Sequence, residues 1–180
     1  MQPRISIITI CYNAASTITR TLRSVSAQTY PNIQYLIIDG ASKDNTLELV
    51  RELAPEAEVY SERDKGIYDA MNKGLDRATG DYVWYVNAGD ALASPTTVED
   101  LVRATCTGDS LPDVLYGDTR LIDGEDHDLG LRRLRPPHQL DWRSFRSGML
   151  VCHQAFVAKR SISPHYDLHY RFSADVDWCI

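Results

Sequence analysis

The sequence predicts an α/β fold: a mostly parallel open sheet flanked by helices. Three observations predict it. Short apolar runs alternate four times with stretches whose apolar residues fall at helical spacing. The first two runs, Arg4 to Ile10 (RISIITI) and Ile33 to Asp39 (IQYLIID), are β-branched and mostly apolar, as strands covered on both faces are. The chain of 180 residues, 43% hydrophobic and 24% charged, has the size and composition of one soluble domain with its own core.

Each element has a local reason. After the first strand Asn13 reads as a helix N-cap, and Ile18, Leu22 and Val25 share one helical face. Tyr30-Pro31-Asn32 turns the chain into the second strand. Gly40 to Asp44 is a loop, with Asp44 placed to cap a helix whose Leu47, Val50 and Leu53 face inward and which ends before Pro55. Glu58 to Tyr60 is a short third strand and Ser61 to Gly66 its loop. Ile67, Ala70, Met71 and Leu75 line the next helix, stopped by Gly80. Asp81 to Asn87 (DYVWYVN) is a fourth strand in which Tyr82, Trp84 and Tyr85 pack the sheet. Ser94-Pro95 starts a helix that runs to about Ala104.

Past Pro112 the pattern changes. Asp113 to Asp118 reads as a strand and Thr119 to Arg132 as a hairpin turning at Asp123 to Asp126. Arg132 to Arg146 reads as a basic irregular loop with a short helix. Gly148 to Val157 reads as an apolar strand, and Ser173 to Trp178 as the start of a helix. The expected organisation is one domain, 1–180, in two halves, 1–111 and 112–180.

Composition excludes several classes. Nineteen basic against 25 acidic residues leave a net charge of -6, a poor balance for binding nucleic acid. Cys11, Cys106, Cys152 and Cys179 form no CxxC and match no zinc or disulfide framework, so they read as free thiols of a reducing compartment. Met1 to Arg4 shows no signal-peptide features. No run approaches the roughly 20 apolar residues that span a bilayer. The expectation is a cytoplasmic protein. Walker A, GxGxxG and GxSxG sequences are absent, which counts against an NTPase, a dinucleotide oxidoreductase and an α/β-hydrolase.

Ligands of open α/β sheets bind beyond the carboxyl ends of the strands. Those ends are here Thr9 to Asn13, Asp39 to Asp44, Ser61 to Gly66 and Asn87 to Asp90. Three of the four carry aspartate, and the first carries Tyr12 and Asn13.

Ile5 to Asn13 (ISIITICYN) followed by Ile37 to Thr46 (IIDGASKDNT) resembles the opening of bacterial glycosyltransferase family 2, which has the GT-A fold. Asp64 to Asp90 (DKGIYDAMNKGLDRATGDYVWYVNAGD) is similar to the exopolysaccharide and lipopolysaccharide branch of that family, and Ser173 to Trp178 (SADVDW) to its late acidic motif. The resemblance is dense to Asp90, sparse to Gly148, and returns at the end.

It implies an inverting transferase. The donor is a nucleotide-diphospho-sugar, usually UDP-linked, and the acceptor a saccharide or lipid-linked glycan of surface polysaccharide synthesis. The first half would bind nucleotide and the second the acceptor. Thr9, Tyr12 and Asn13 would line the nucleoside, Asp39 would meet base or ribose, and Asp64 the nucleotide or a salt bridge with Arg63 or Lys65. The family's DxD followed by Asp is altered here to Asn87-Ala88-Gly89-Asp90, which leaves Asp90 as carboxylate and Asn87 as a neutral oxygen for Mg²⁺ or Mn²⁺. Such a site should bind the ion only with the donor present.

Asp175 would be the base, with Asp177 its alternative. His153 is a core residue or a ligand of metal or diphosphate. Arg132, Arg133, Arg135, Arg143 and Arg146 are a solvated set or a site for a phosphate-bearing carrier at the inner face of the membrane, by peripheral contact. Rival readings are a non-catalytic nucleotide-sugar-binding domain and a Mg-dependent nucleotidyltransferase. The motif carrying Asp175 ends five residues before Ile180. Family members usually continue beyond it, so the expectation is a truncated carboxyl end and a poorly fixed Asp175. Oligomeric state is not legible in the sequence.

Overall fold

The computed structural model describes residues 2–107 and 111–180. In chain order the elements are β1 (Ile5–Cys11), α1 (Ile18–Ser26), β2 (Ile33–Asp39), α2 (Thr46–Leu53), β3 (Glu58–Ser61), α3 (Ile67–Arg77), β4 (Tyr82–Tyr85), α4 (Thr97–Thr105), β5 (Val114–Tyr116), β6 (Arg120–Ile122), β7 (Asp128–Leu131), β8 (Phe156–Lys159) and α5 (Ala174–Trp178). Six strands form one mixed sheet in the order β3-β2-β1-β4-β8-β5. The first four are mutually parallel, and β8 runs antiparallel to β4 and β5. Both halves of the chain therefore contribute to one sheet. β6 and β7 are a separate hairpin, closed by the Asp123 N–H donating to His127 O at 3.1 Å.

β1 is buried along its whole length. Its side chains alternate between two cores, as a strand's must. Ile5 and Ile7 face Ile18, Leu22, Val50, Val98 and Val102 of α1, α2 and α4. Ile8 and Ile10 face Met71 and Leu75 of α3 and Trp178 of α5. Tyr82, Trp84 and Tyr85 are buried sheet-packing residues, as expected.

Several boundaries differ from the sequence reading, each for a local reason. Asn13 does not cap α1. It takes φ +47° and turns the chain, and the helix starts four residues after Ala14, behind Thr17. Ser94 and Pro95 form a turn before α4, which starts at Thr97. In α2, Leu49 joins Val50 and Leu53 against the core in place of Leu47. In α3, Ile67 is 50% exposed and Gly74 takes the buried position, because Ile8 packs where a side chain would stand. The apolar run from Gly148 is not a strand until Phe156. Gly148 has φ +114°, Arg132 Nη1 takes the carbonyl of Met149 at 2.8 Å, and His153–Ala155 is a 3₁₀ turn.

Gly80 does not cap α3, which ends at Arg77. Its role is close approach. The Ser6 hydroxyl donates to Gln34 Oε1 at 2.7 Å and accepts from Gly80 N at 2.9 Å, while Thr79 N also donates to Gln34 Oε1. A Cβ on Gly80 would stand 2.7 Å from Arg4 O and 2.8 Å from Ser6 N, both backbone atoms of the chain entering β1. Gly80→Ala should therefore destabilise the domain by about 2 kcal/mol or more, as overpacking against immovable atoms does. Urea denaturation checks this, and an unchanged midpoint would contradict it.

Candidate functional site

The parallel register sets Cys11, Asp39 and Ser61 side by side at the ends of β1, β2 and β3. The β1–β4 ladder continues past β4 through Val86 N to Ile8 O and Ala88 N to Ile10 O. The loops after β1, β2, β3 and β4 thus open along one edge of the sheet.

Asp39 lies beneath that edge. It is fully buried, and its carboxylate accepts from Ser42 N at 3.0 Å, the Ser42 hydroxyl, the Ser61 hydroxyl at 2.6 Å and the Cys11 thiol at 3.7 Å. Its oxygens are occupied by the protein, so Asp39 orders the loop at Gly40. Ser42 and Ser61 are the groups that stand toward solvent. Thr9 is also fully buried, donating to Val86 O at 2.7 Å and contacting Tyr35 OH. Its side chain ties β1 to β4 and does not line the cleft. Burial, with Asp39 beside it, pushes the Cys11 thiol up, so it stays protonated. The four cysteines are unpaired.

Above Asp39 the loops close tightly on one another. A Cβ on Gly40 would stand 2.6 Å from Asp64 Oδ2 and 3.2 Å from the Tyr12 ring. Tyr12 is 60% exposed. Asp64 turns its own loop by accepting from Gly66 N at 2.9 Å, and no salt bridge joins it to Arg63 or Lys65 among the described residues. Asn13 fastens the β1 and β2 loops together: its N–H donates to the Ser42 hydroxyl, and its Oδ1 accepts from Lys43 N, both at 2.8 Å. Asp44 lies one residue before the N-cap of α2, which is Asn45, and supports the helix start by accepting from Thr46 N at 3.1 Å; it also accepts from Ala15 N.

The Asn87–Asp90 turn follows β4. Thr21 of α1 clamps it, donating to Asp90 O at 2.6 Å and accepting from Gly89 N at 3.0 Å. Gly89 has φ +106°, a left-handed conformation that explains why no aspartate stands there. Burial pushes the Asp90 carboxyl up from its ordinary range, and the neighbouring Gln154 amide works against it. Asn87 Oδ1 is buried without a hydrogen-bond partner. Buried acceptors are nearly always satisfied. An orphaned amide oxygen within three residues of a carboxylate fits a hard divalent cation, which takes oxygen ligands. Among the described residues no cluster of three or more His, Cys, Asp or Glu exists, so the remaining ligands would come from outside the chain.

The His153–Ala155 turn joins this corner to the late acidic motif. Trp84 Nε1 donates to Gln154 O at 2.7 Å. His153 is buried among Tyr85, Tyr166 and Trp178, and its Nε2 meets Tyr166 OH at 2.7 Å. It is packed and hydrogen-bonded as a core residue. Asp175 is half-buried on α5 and accepts from Tyr68 OH at 3.3 Å, whereas Asp177 is exposed. Asp175 is not loosely held: Ala174 and Trp178 on either side are buried, and Trp178 Nε1 donates to Pro164 O at 2.8 Å. Within the arginine set, Arg132 is spent on backbone carbonyls and Arg135 pairs with Asp118, leaving Arg133, Arg143 and Arg146 without an ion pair among the described residues. Two cavities of about 280 and 300 Å³ lie elsewhere, one beside β5 and Trp142, the other beneath α4.

The family model for glycosyl transferase family 2 matches residues 6–165. The chain belongs to that family. It is a glycosyltransferase domain, and its mixed, mostly parallel sheet between helices is the GT-A arrangement. An uncharacterized glycosyltransferase of Mycobacterium tuberculosis is 34% identical over 99% of this chain and 68% of its own length. A PGL/p-HBAD biosynthesis glycosyltransferase of Mycobacterium bovis is 32% identical over 99% of this chain and 69% of its own. A mannosyltransferase from Pyrobaculum calidifontis, solved with GDP-Man and Mn²⁺, aligns with TM-score 0.56 and 27% identity over 63% of this chain and 35% of that one. TarS of S. aureus, solved with UDP, shares the fold at TM-score 0.63 and 16% identity over 98% of this chain and 54% of that one. No helix among the described residues is long and apolar enough to cross a membrane.

In this glycosyltransferase the sequence reading missed Thr21, Ser42, Ser61 and Tyr68. All are ordinary helix, loop or strand-end residues whose importance comes from contacts the fold brings about. For His153 the sign of the pH effect is fixed by burial. The ring is held neutral, its pKa lowered from the ordinary 6.5 to about 4, against a small opposing pull from Asp175; Tyr85 and Tyr166, the other titratable groups facing it, stay uncharged. The unfolded chain therefore takes up the proton first as pH falls. Stability should be complete above pH 6.5 and decline toward pH 4, by about 2 kcal/mol between pH 7 and pH 5. Urea midpoints at the two pH values measure it, and His153→Gln should flatten the dependence. Equal slopes in both proteins would contradict it.

Proposed function

We propose that this domain transfers a sugar, with inversion at the anomeric carbon, from a nucleotide-diphospho-sugar, UDP-linked, to a hydroxyl of a saccharide or lipid-linked acceptor. The observation that carries this reading is the orphaned Asn87 Oδ1 beside Asp90, one strand away from the loops of Tyr12, Gly40 and Asp64. A nucleoside would lie over these loops: Tyr12 offers a ring face, Asp64 Oδ2 can accept from ribose or base, and Ser42 and Ser61 offer hydroxyl oxygens held from below by Asp39. The diphosphate then reaches the Asn87–Asp90 turn. Asn87 Oδ1 and the Asp90 carboxylate would hold Mg²⁺ or Mn²⁺ there. When bound, such an ion offsets charge on the departing diphosphate.

The protein's own part in the chemistry falls to Asp175. As the acceptor oxygen bonds to the anomeric carbon and the carbon–phosphate-oxygen bond breaks, the acceptor's proton passes to the Asp175 carboxylate and the nucleoside diphosphate leaves. Such a base contributes typically 10²–10⁴-fold. A single displacement inverts the centre. Relatives named for PGL/p-HBAD biosynthesis and for teichuronic acid biosynthesis support an acceptor in glycoconjugate synthesis. Exposed Trp142 and Phe172, each beside an arginine (Arg143 and Arg171), support peripheral contact with an anionic membrane surface on the cytoplasmic side. Residues 1–111 supply the nucleotide side and 112–180 the acceptor side, apart from Asp175's partner on α3.

Calorimetry tests the metal corner. Mn²⁺ alone should bind weakly, and Mn²⁺ with UDP clearly. Asn87→Ala should weaken UDP binding roughly tenfold in Mn²⁺ and leave metal-free UDP binding unchanged. Tight Mn²⁺ binding without nucleotide, or an equal loss with and without metal, would contradict the reading.

A further inference from the structure

Asp175 sits on a helix of five residues, too short to hold itself without packing. What holds it comes from α3. Tyr68 stacks on Tyr166, with centroids 5.6 Å apart and planes at 18°, and Tyr166 stacks on Trp178 of α5 at 5.1 Å and 9°. One helical turn beyond Tyr68, Asn72 grips the backbone of Tyr166 from both sides. Its Nδ2 donates to Tyr166 O at 3.0 Å and its Oδ1 accepts from Tyr166 N at 2.7 Å. A further turn on, Asp76 meets His165 Nε2 at 2.8 Å. Three residues of one α3 face thus anchor the segment that leads into α5.

The stack ends at Tyr68, and its hydroxyl reaches Asp175 Oδ1. Burial first, then the Asp175 charge, push the Tyr68 phenol up, so at neutral pH it keeps its proton and donates. Oδ2 of Asp175 has no side-chain hydrogen-bond partner among the described residues, and the residue is only half-buried.

We propose that Tyr68 is a positioning residue: its hydroxyl fixes the Asp175 carboxylate in one rotamer, with one oxygen held and the other presented to the acceptor. This inference rests on Asp175 being the base. It differs from a packing role, because the stack needs only the ring of Tyr68, while positioning needs the oxygen.

Tyr68→Phe separates the two, since it keeps the ring and removes the hydroxyl. The test uses the full chain with Mn²⁺, reading UDP or GDP release from UDP-glucose, UDP-N-acetylglucosamine and GDP-mannose with water as acceptor. Tyr68→Phe should lower kcat about tenfold, as a misplaced group does, while donor KM and melting temperature stay unchanged. Added to Asp175→Asn, which should cost more, it should cause no further loss. Silent Tyr68→Phe beside a damaging Asp175→Asn overturns the positioning role and leaves the base reading standing. A harmless Asp175→Asn overturns the base reading itself. Additive losses overturn action through Asp175. A second readout needs no turnover: the χ1 scalar couplings of Asp175 should report one rotamer in the parent protein and averaging in Tyr68→Phe. Identical couplings in the two overturn the inference.

Discussion

A buried carboxylate with no cation beside it among the described residues holds this domain's functional edge together. Asp39 accepts from Cys11 at the end of β1, from Ser61 at the end of β3, and twice from Ser42 in its own loop. Removing a carboxylate from water is costly unless its oxygens find donors. Here the three donor residues, Cys11, Ser42 and Ser61, come from different strand ends or loops. Satisfying Asp39 and aligning those ends are the same event. The register that places Cys11, Asp39 and Ser61 in one row makes this possible.

Much of the cleft depends on that alignment. With Ser42 held by Asp39, Asn13 can bond to it, and the β1 loop closes against the β2 loop. Gly40 is then close enough to Tyr12 and Asp64 that only hydrogen fits at its Cα. On the other side of β1, Thr21 performs the equivalent task for the Asn87–Asp90 turn and leaves Asn87 Oδ1 without a donor. One corner is saturated by the protein, and the other is left with an unused oxygen. That asymmetry separates scaffold from site.

The parallel half of the sheet was legible in the sequence, because strands buried on both faces leave a strong apolar signal, as Ile5 to Ile10 shows. Motif resemblance singled out Asn87, Asp90 and Asp175, which the fold sets on the turn after β4 and on α5. What each side chain does was less legible. Asp39 stands where a base contact was expected, yet its oxygens face inward. Thr9 reads like a loop-lining residue and is a buried tie between strands. Composition cannot distinguish these cases, because both depend on which partners the register brings near. The run from Gly148 to Ala155 misled for a related reason: Val151 is buried and Met149 partly buried against other elements without joining a ladder, and Arg132 takes the Met149 carbonyl that a ladder would need. The short α5 looked unstable on its own, and its anchoring by Tyr166 and Asn72 is wholly tertiary.

Nucleotide and cation are proposed to meet at the sheet edge between Tyr12, Gly40 and Asp64 on one side and the Asn87–Asp90 turn on the other. Paramagnetic broadening of backbone amide signals by Mn²⁺ tests it most directly. With UDP present, Mn²⁺ should broaden the amides of residues 87–90 most strongly, then those of 11–13 and 40–42, and least those at the opposite ends of the strands, around Arg4, Asn32 and Gly80. Strongest broadening around His153 or in the second half of the chain, or the same pattern with and without UDP, would contradict it.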